Sequence, residues 1–150
     1  MSIVIPDTVT KIEEAAFDGC VKLQHITIEN GVTSIEASAF AGCSSLEDIT
    51  IPDSVSSLGD QVFANCTGLT TVIFEDGSLS ELPSYAFWHC ESLQDVDLPD
   101  SLINLGYLTF AGCKSLKTLH IPEKVETCTL MSIGSDTGIE AFTVDPANKY

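Results

Sequence analysis

The amino-acid sequence predicts an α/β repeat solenoid, in which short coils of chain stack side by side. Two observations support this prediction. A pattern of apolar residues recurs about every 23 residues, and each unit contains one short segment with the period-2 alternation of a half-buried strand. With 44% hydrophobic and 19% charged residues, the chain has the composition of a packed domain. We therefore expect a single domain over residues 1–150.

One repeat follows the pattern Ile-Pro-x-x-Val-x-x-Ile-x-x-x-Ala-Phe-x-Gly-Cys-x-x-Leu-x-x-Ile-x. Its phenylalanine and its cysteine both recur at intervals of 23, 23, 24 and 23 residues. These residues are Phe17, Phe40, Phe63, Phe87, Phe110, Cys20, Cys43, Cys66, Cys90 and Cys113. Because a unit this small cannot bury its own apolar side, we expect stacked coils to align these side chains as a structural ladder in the interior.

The domain comprises about six units, and it begins and ends within a repeat. The units begin at Ile5, Ile28, Ile51, Phe74, Leu98 and Ile121, with a seventh beginning at Val144. In the sixth unit Asp136 stands in the cysteine position, so we expect that coil to be the loosest. Because neither end resembles the polar cap of a repeat array, we predict part of a longer protein that self-associates through its uncapped ends.

Each unit contains two segments with different periodicity. The segment Leu-x-x-Ile-x-Ile, as at residues 23–28, predicts a short strand of a parallel sheet, which a proline then ends. The segment Ile-x-x-x-Ala-Phe, as at residues 12–17, predicts a short helical or 3-10 turn on the opposite face. We therefore expect a sheet on one wall and turns on the other.

The cysteines are predicted to be small buried side chains. There is no close CxxC pair, as a zinc site would require. We expect no base or cationic partner that would lower a thiol pKa, and therefore no redox-active thiol. The residues that precede the five regular cysteines are Gly19, Gly42, Asn65, His89 and Gly112. Glycine and asparagine at this position predict a left-handed backbone conformation.

The segment Ile51 to Val55, followed by Val62 to Leu69, resembles the BspA-type, or Treponema-type, leucine-rich repeat. The longer turn Glu75 to Ser78 and the closing Val144 to Tyr150 share this resemblance, which extends over essentially the whole chain. It implies a right-handed leucine-rich-repeat superhelix. It also implies a surface-associated or secreted protein involved in adhesion, with a host surface or matrix protein as its ligand.

The charge of the chain argues against several classes of partner. Asp and Glu number 22 against six lysines, which gives a formal net charge of -16. Such a surface repels nucleic acid, whose phosphates are bound by clusters of Lys and Arg. No apolar stretch is long enough to span a bilayer, and the N-terminus is no signal peptide. We expect a protein partner, with no nucleic acid and no direct membrane insertion.

A first candidate binding surface lies on the outward side of the predicted sheet. Its residues are His25, Asp48, Asp95, Asp97 and His120. The stacking register places His25 beside Asp48 and His120 beside Asp97. Three interpretations remain open: a solvated polar face, a weak cation site at Asp95, Asp97 and His120, or a concave surface that recognises a basic or hydroxyl-rich ligand.

A second candidate surface is an apolar patch on the opposite wall. Its residues are Tyr85, Trp88, Ile103, Tyr107, Leu108, Leu130 and Met131, at positions that other units fill with small or polar residues. Exposed aromatic residues of this kind favour contact with a partner. Alternatively, the patch is covered by a further part of a longer chain or packs around the irregular sixth coil.

The sequence does not predict an enzyme or a cofactor. No serine lies in a nucleophile elbow, and no carboxylate pair falls in an identifiable pocket. The leading hypothesis is a non-catalytic protein-binding module of a cell-surface or secreted adhesion protein. The alternative is a structural spacer or intracellular scaffold array without a dedicated ligand in this segment.

Overall fold

The structure is a computed structural model that describes residues 1–128 and 130–144. Its elements in chain order are β1 (Ser2–Ile5), β2 (Lys11–Ile12), β3 (His25–Ile28), β4 (Ser34–Ile35), β5 (Asp48–Ile51), β6 (Ser57–Leu58), β7 (Thr71–Phe74), β8 (Glu81–Leu82), β9 (Asp95–Asp97), β10 (Asn104–Leu105), β11 (Thr118–Ile121), α1 (Leu130–Ile133) and β12 (Ala141–Val144). Strands β1, β3, β5, β7, β9, β11 and β12 each open one coil, and we number the coils one to seven by them.

These seven strands of the described chain form the front wall, and the predicted solenoid fold is confirmed. Paired strands are parallel, and each residue pairs with its counterpart one repeat later, as Ile3 does with Ile26. Within a strand, side chains alternate between exposed and buried positions, so that in β5 Asp48 is exposed and Ile49 is buried. The alternation predicted from the sequence therefore sets which side chains the front wall presents.

The front wall is continuous only in segments. Glu29 and Glu75 follow β3 and β7, and their N–H groups donate to the last carbonyl of the preceding coil's strand, at 3.0 and 2.9 Å. Pro52, Pro99 and Pro122 occupy this place in coils three, five and six and have no N–H to donate, yet β9 remains paired with β7. In the described chain no ladder joins β5 to β3 or β11 to β9. The front wall is thus divided into the segments β1–β3, β5–β7–β9 and β11–β12.

Coils one and two are also joined through side chains, as are coils three and four. Asp7 N donates to the Glu29 carboxylate at 3.0 Å, and Asp53 N donates to Glu75 at 3.3 Å. Next to the first of these bonds, Gly31 lies directly against the Asp7 backbone, with no space for a Cβ. A glutamate after the strand thus adds a side-chain bond between coils one and two and between coils three and four.

A second row of strands was not predicted. The two-residue strands β2, β4 and β6 form one parallel sheet, and β8 pairs with β10 in another. Each contributes one inward apolar residue, such as Ile35 or Leu82, both buried. Two residues are too few to show the alternation by which strands are recognised in a sequence.

The back wall consists of short turns, as predicted, in which hydrogen bonds of the 3-10 type alternate with bonds to the next coil. Within coil one, alternate N–H groups donate to the carbonyl three residues earlier: Ala16 to Glu13 (3.2 Å), Asp18 to Ala15 (3.1 Å) and Cys20 to Phe17 (3.0 Å). The intervening N–H groups donate to the next coil: Ala15 to Ala37 (3.0 Å), Phe17 to Ala39 (2.8 Å) and Gly19 to Ala41 (2.8 Å). Because every second N–H leaves the coil, a continuous helix cannot form. Within the described residues, the one α-helix is α1, in coil six.

This alternation requires left-handed residues, and the predicted ones are confirmed. The residues before the cysteines are Gly19, Gly42, Asn65, His89 and Gly112, with φ between 56° and 79°. A second left-handed row, four residues earlier, was not predicted because it contains no glycine. It comprises Ala15, Ser38, Gln61, Tyr85 and Leu108, with φ between 52° and 60°.

Replacing Ala15 by glycine is expected to stabilise the protein. Ala15 is exposed and left-handed, at φ 54°, a conformation that costs a residue with a Cβ about 1–2 kcal/mol. Glycine removes that cost but loses about 0.5–1 kcal/mol through its greater freedom in the unfolded chain, so we expect a net gain of about 0.5–1 kcal/mol. The matched variant Ala16→Gly, exposed but not left-handed, should lose about as much. Urea unfolding measures both, and equal effects would contradict the conformational account.

The phenylalanine ladder forms the centre of the core, as predicted. Successive rings from Phe17 to Phe110 stack with centroids 5.2–5.6 Å apart and interplanar angles of 1–12°. The four rings from Phe40 to Phe110 are fully buried. In coil six Ile133 takes the phenylalanine place and is buried, whereas Phe142 on β12 is 50% exposed. The expectation that coil six is the loosest stays a prediction.

The cysteine ladder is confirmed and runs beside the phenylalanines. Cys43, Cys66, Cys90 and Cys113 are buried free thiols, and Cys20 is half-buried. Each buried Sγ donates a hydrogen bond of 3.1–3.2 Å to the phenylalanine carbonyl of the preceding coil. Cysteine thus fits this position as a small side chain with a weak donor.

Thiol labelling of the native protein is expected to distinguish the cysteines. Exposed Cys128 should react first, Cys20 more slowly, and the four buried thiols only on unfolding. Burial raises the pKa of Cys113 to about 12 and that of Cys90 well above its usual value, so raising the pH from 7 to 9 should not make these two thiols reactive, since the thiolate is the reactive form. Mass spectrometry of partly labelled protein measures this. Rapid native modification of the four would contradict the ladder.

Candidate recognition surfaces

An open groove of about 600 Å³ lies on the front wall. It crosses strands β3, β5 and β7, over the break between β3 and β5. Outward side chains of these strands line it, including His25, Asp48 and Thr50, together with Glu47 and Glu75 from the strand ends. We call it the front groove.

The front groove is electrostatically negative. Glu47, Asp48 and Glu75 face it, and His25 is the one lining side chain able to carry a positive charge. His25 Nδ1 lies 3.5 Å from Asp48 Oδ1, with both side chains more than half exposed, so water screens the pair and it contributes little to stability. A concave surface lined mainly by one sign of charge focuses the field of its carboxylates. The groove therefore favours a cationic ligand.

The predicted sheet-face residues are only partly brought together. His25 and Asp48 line the front groove and form the predicted pair. Asp95 and Asp97 lie exposed on β9, outside the groove lining, and His120 on β11 hydrogen-bonds through Nδ1 to Thr143 Oγ1 at 3.0 Å. The interpretation as a weak cation site is not supported: in the described part of the chain, no three His, Cys, Asp or Glu side chains converge to hold a metal ion.

Sequence reasoning missed Glu47, Thr70 and Glu75 as groove residues. They lie at the ends of the strands, outside the alternating segment from which the two outward columns were predicted. Glu75 did carry a signal, because it stands where Pro52 and Pro99 stand in neighbouring coils.

On the back wall, three aromatic side chains from coils four and five meet, and we call them the aromatic cluster. The Tyr85 ring lies edge-to-face with Trp88 at 6.4 Å and with Tyr107 at 5.6 Å between centroids. Tyr107 is 43% exposed, and the other two are half-buried. The core of the predicted apolar patch is therefore contiguous.

The other predicted patch residues in the described part of the chain are half-buried or exposed. Leu108 is half-buried, and its N–H donates to the Met131 carbonyl at 2.7 Å. Met131 is 56% exposed. Ile103 is half-buried and precedes β10, four residues before Tyr107. The side chain of Leu130 lies outside the described part of the structure.

Charged groups flank the aromatic cluster on two sides. The His89 ring packs against Trp88 at 4.5 Å, and His89 Nδ1 lies 3.9 Å from Glu91. The Glu91 carboxylate accepts a hydrogen bond from Lys114 at 3.0 Å, which lowers the pKa of Glu91. On the other side Asp60 Oδ1 accepts from the N–H of Ser84, the neighbour of Tyr85, at 3.0 Å.

These features define a leucine-rich repeat protein: stacked coils of about 23 residues, a parallel front sheet and an interior ladder of apolar side chains. The sequence matches the BspA type leucine rich repeat region in six copies, over residues 1–80 and 33–149. The chain belongs to this family, as its repeat motif indicated. Within the described residues, no helix is long and apolar enough to cross a membrane.

Solved bacterial structures share the fold. The leucine rich repeat protein TpLRR of T. pallidum is 26% identical, with a TM-score of 0.87 over 95% of this chain and 68% of that chain. A leucine-rich repeat protein from Eubacterium ventriosum is also 26% identical, with a TM-score of 0.69 over 92% of this chain. The present chain spans only 43% of the length of the Eubacterium protein. A search of curated proteins found no match.

Proposed function

We propose that the chain is a non-catalytic protein-binding module that recognises a basic segment of its partner through the front groove. The observation that supports this is the groove itself, about 600 Å³ in volume and lined by Glu47, Asp48, Glu75 and threonine hydroxyls. A partner segment that supplies lysine or arginine would gain charge-assisted hydrogen bonds to the carboxylates and ordinary ones to the threonines.

The setting of this activity follows from the family resemblance. Proteins with this repeat are known mainly at the surfaces of mucosal bacteria and some protozoa, so we place the full-length protein at the cell surface or outside the cell, in adhesion to a host surface or matrix protein. The net charge of -16 agrees with a basic partner, because opposite charges steer association.

The test is selection of a displayed library of random peptides on the wild-type chain, followed by affinity measurement of the enriched peptides. We expect enrichment of basic sequences, affinity that falls as salt is raised, and a loss of about tenfold or more in the double variant Glu47→Lys and Glu75→Lys. The matched control, Glu123→Lys with Glu140→Lys, makes the same change in net charge at exposed carboxylates outside the groove lining.

Three outcomes would overturn the proposal. Equal losses in the groove variant and the control would show that only net charge matters. Enrichment of acidic or uncharged apolar sequences would assign a different ligand class. Failure to enrich any sequence over an unrelated bait would favour the structural spacer.

A further inference from the structure

We infer that the aromatic cluster of Tyr85, Trp88 and Tyr107 is a second binding site, separate from the front groove, which takes a lysine or arginine side chain of a partner protein on its ring faces. Lysine and arginine bind the negative faces of tyrosine and tryptophan. Tyr107 is 43% exposed, so a partner has access to it.

The residues of the cluster are unusual for their places in the repeat. Trp88 occupies the position that Asp18, Ala41, Ala64 and Ala111 fill in the other regular coils. Tyr85 and His89 both have a left-handed backbone, at φ 59° and 56°, where bulky residues are costly and small ones are preferred. The backbone is left-handed at these two places in every regular coil, so what distinguishes the cluster is the size of its side chains.

Charge selects a cationic occupant over an apolar one. The charged or titratable groups near the cluster are the carboxylates of Asp60, Glu91 and Asp136, the ammonium of Lys114 and the imidazole of His89, so carboxylates outnumber cationic groups there even when His89 is protonated. Lys114 is itself held by Glu91 at 3.0 Å and Asp136 at 3.9 Å. An incoming guanidinium or ammonium group would therefore meet aromatic faces within a negative surround, where cation–π attraction and long-range charge act together.

The cluster contains its own probe, because Trp88 is the single tryptophan of the chain. We would titrate the protein with an oligo-arginine peptide and follow tryptophan emission, using the citrulline peptide as its uncharged near-isostere. We expect a saturable emission change with arginine and none with citrulline. Affinity should fall by about two- to fivefold in Tyr107→Leu, the loss expected when one exposed cation–π contact is removed.

Two further variants make the test specific. Tyr107→Phe keeps an aromatic face and should bind nearly as well as wild type, whereas a site that needs the hydroxyl group would lose binding. The groove variant Glu47→Lys with Glu75→Lys should leave the Trp88 titration saturable, so that failure of the front-groove proposal and failure of this one can be told apart. Far-ultraviolet circular dichroism confirms that each variant is folded.

Several outcomes would overturn the inference. Equal binding of wild type and Tyr107→Leu would assign the signal to general electrostatics. A response to a neutral cello-oligosaccharide but not to oligo-arginine would make the cluster a sugar platform. Emission that changes with protein concentration alone would assign the surface to a second copy of the chain, and no response to oligo-arginine would exclude the site.

Discussion

Replacing Phe63 by alanine is expected to destabilise the solenoid by about 3–5 kcal/mol. The Phe63 ring is fully buried and stacks between Phe40 and Phe87, with centroids 5.6 Å away on either side. Its removal leaves a cavity at two coil interfaces at once, and each coil is stable only through its neighbours. The variant should therefore lose cooperativity as well as stability.

Urea unfolding followed by circular dichroism measures both effects. The comparison is Phe17→Ala, because Phe17 is half-buried and the one described ring that stacks on it is Phe40, at 5.2 Å. We expect it to cost about half as much, and Phe63→Leu to cost about 1–2 kcal/mol. Equal losses from Phe17→Ala and Phe63→Ala would contradict the ladder as the centre of the core.

The second large effect is expected from Gly31→Ala, at about 3 kcal/mol. A Cβ at Gly31 would lie 1.8 Å from the carbonyl oxygen of Asp7, a backbone atom of the preceding coil. This oxygen cannot rotate away like the end of a side chain, so coils one and two must separate. The Glu29 bond to Asp7 N, 3.0 Å, lies in the same contact and would be strained with it.

Gly19→Ala separates this steric effect from backbone conformation. Gly19 is left-handed, at φ 66°, and among the described residues no atom lies within 4 Å of the place where its Cβ would be. Its replacement should cost only about 1 kcal/mol, from conformation alone. Thermal unfolding of both variants tests the distinction, and a larger loss from Gly19→Ala would be inconsistent with the tight pairing of coils one and two.

The interior was predictable because it depends on spacing. Phe63 and Cys66 recur one repeat from their counterparts, so stacking alone places them in columns. The row of left-handed residues that includes Ala15 was not predictable. The conformation is required because every second N–H donates to the next coil, and the row contains no glycine that would indicate it. The type of residue indicates a left-handed backbone conformation only where glycine or asparagine occupies the position.

The candidate sites were predictable to different degrees. The contact between Tyr85 and Trp88 was predictable from the sequence, because both residues lie in the same short turn segment. It did not limit the front groove to coils two to four, because Glu47 and Glu75 reach the groove from strand ends and the break between β3 and β5 has no signal in the repeat pattern. Such features arise from three-dimensional contacts between coils, which a pattern within one coil does not contain.

Site-specific photo-crosslinking tests most directly the central claim that the front groove is the recognition surface. A photoreactive residue placed at Thr50, in the groove, is compared with one at Ser57, exposed on β6 of the second strand row. With a basic peptide selected on the wild-type chain, we predict crosslinks from Thr50 and none from Ser57. Crosslinks from Ser57 with none from Thr50 would contradict the account.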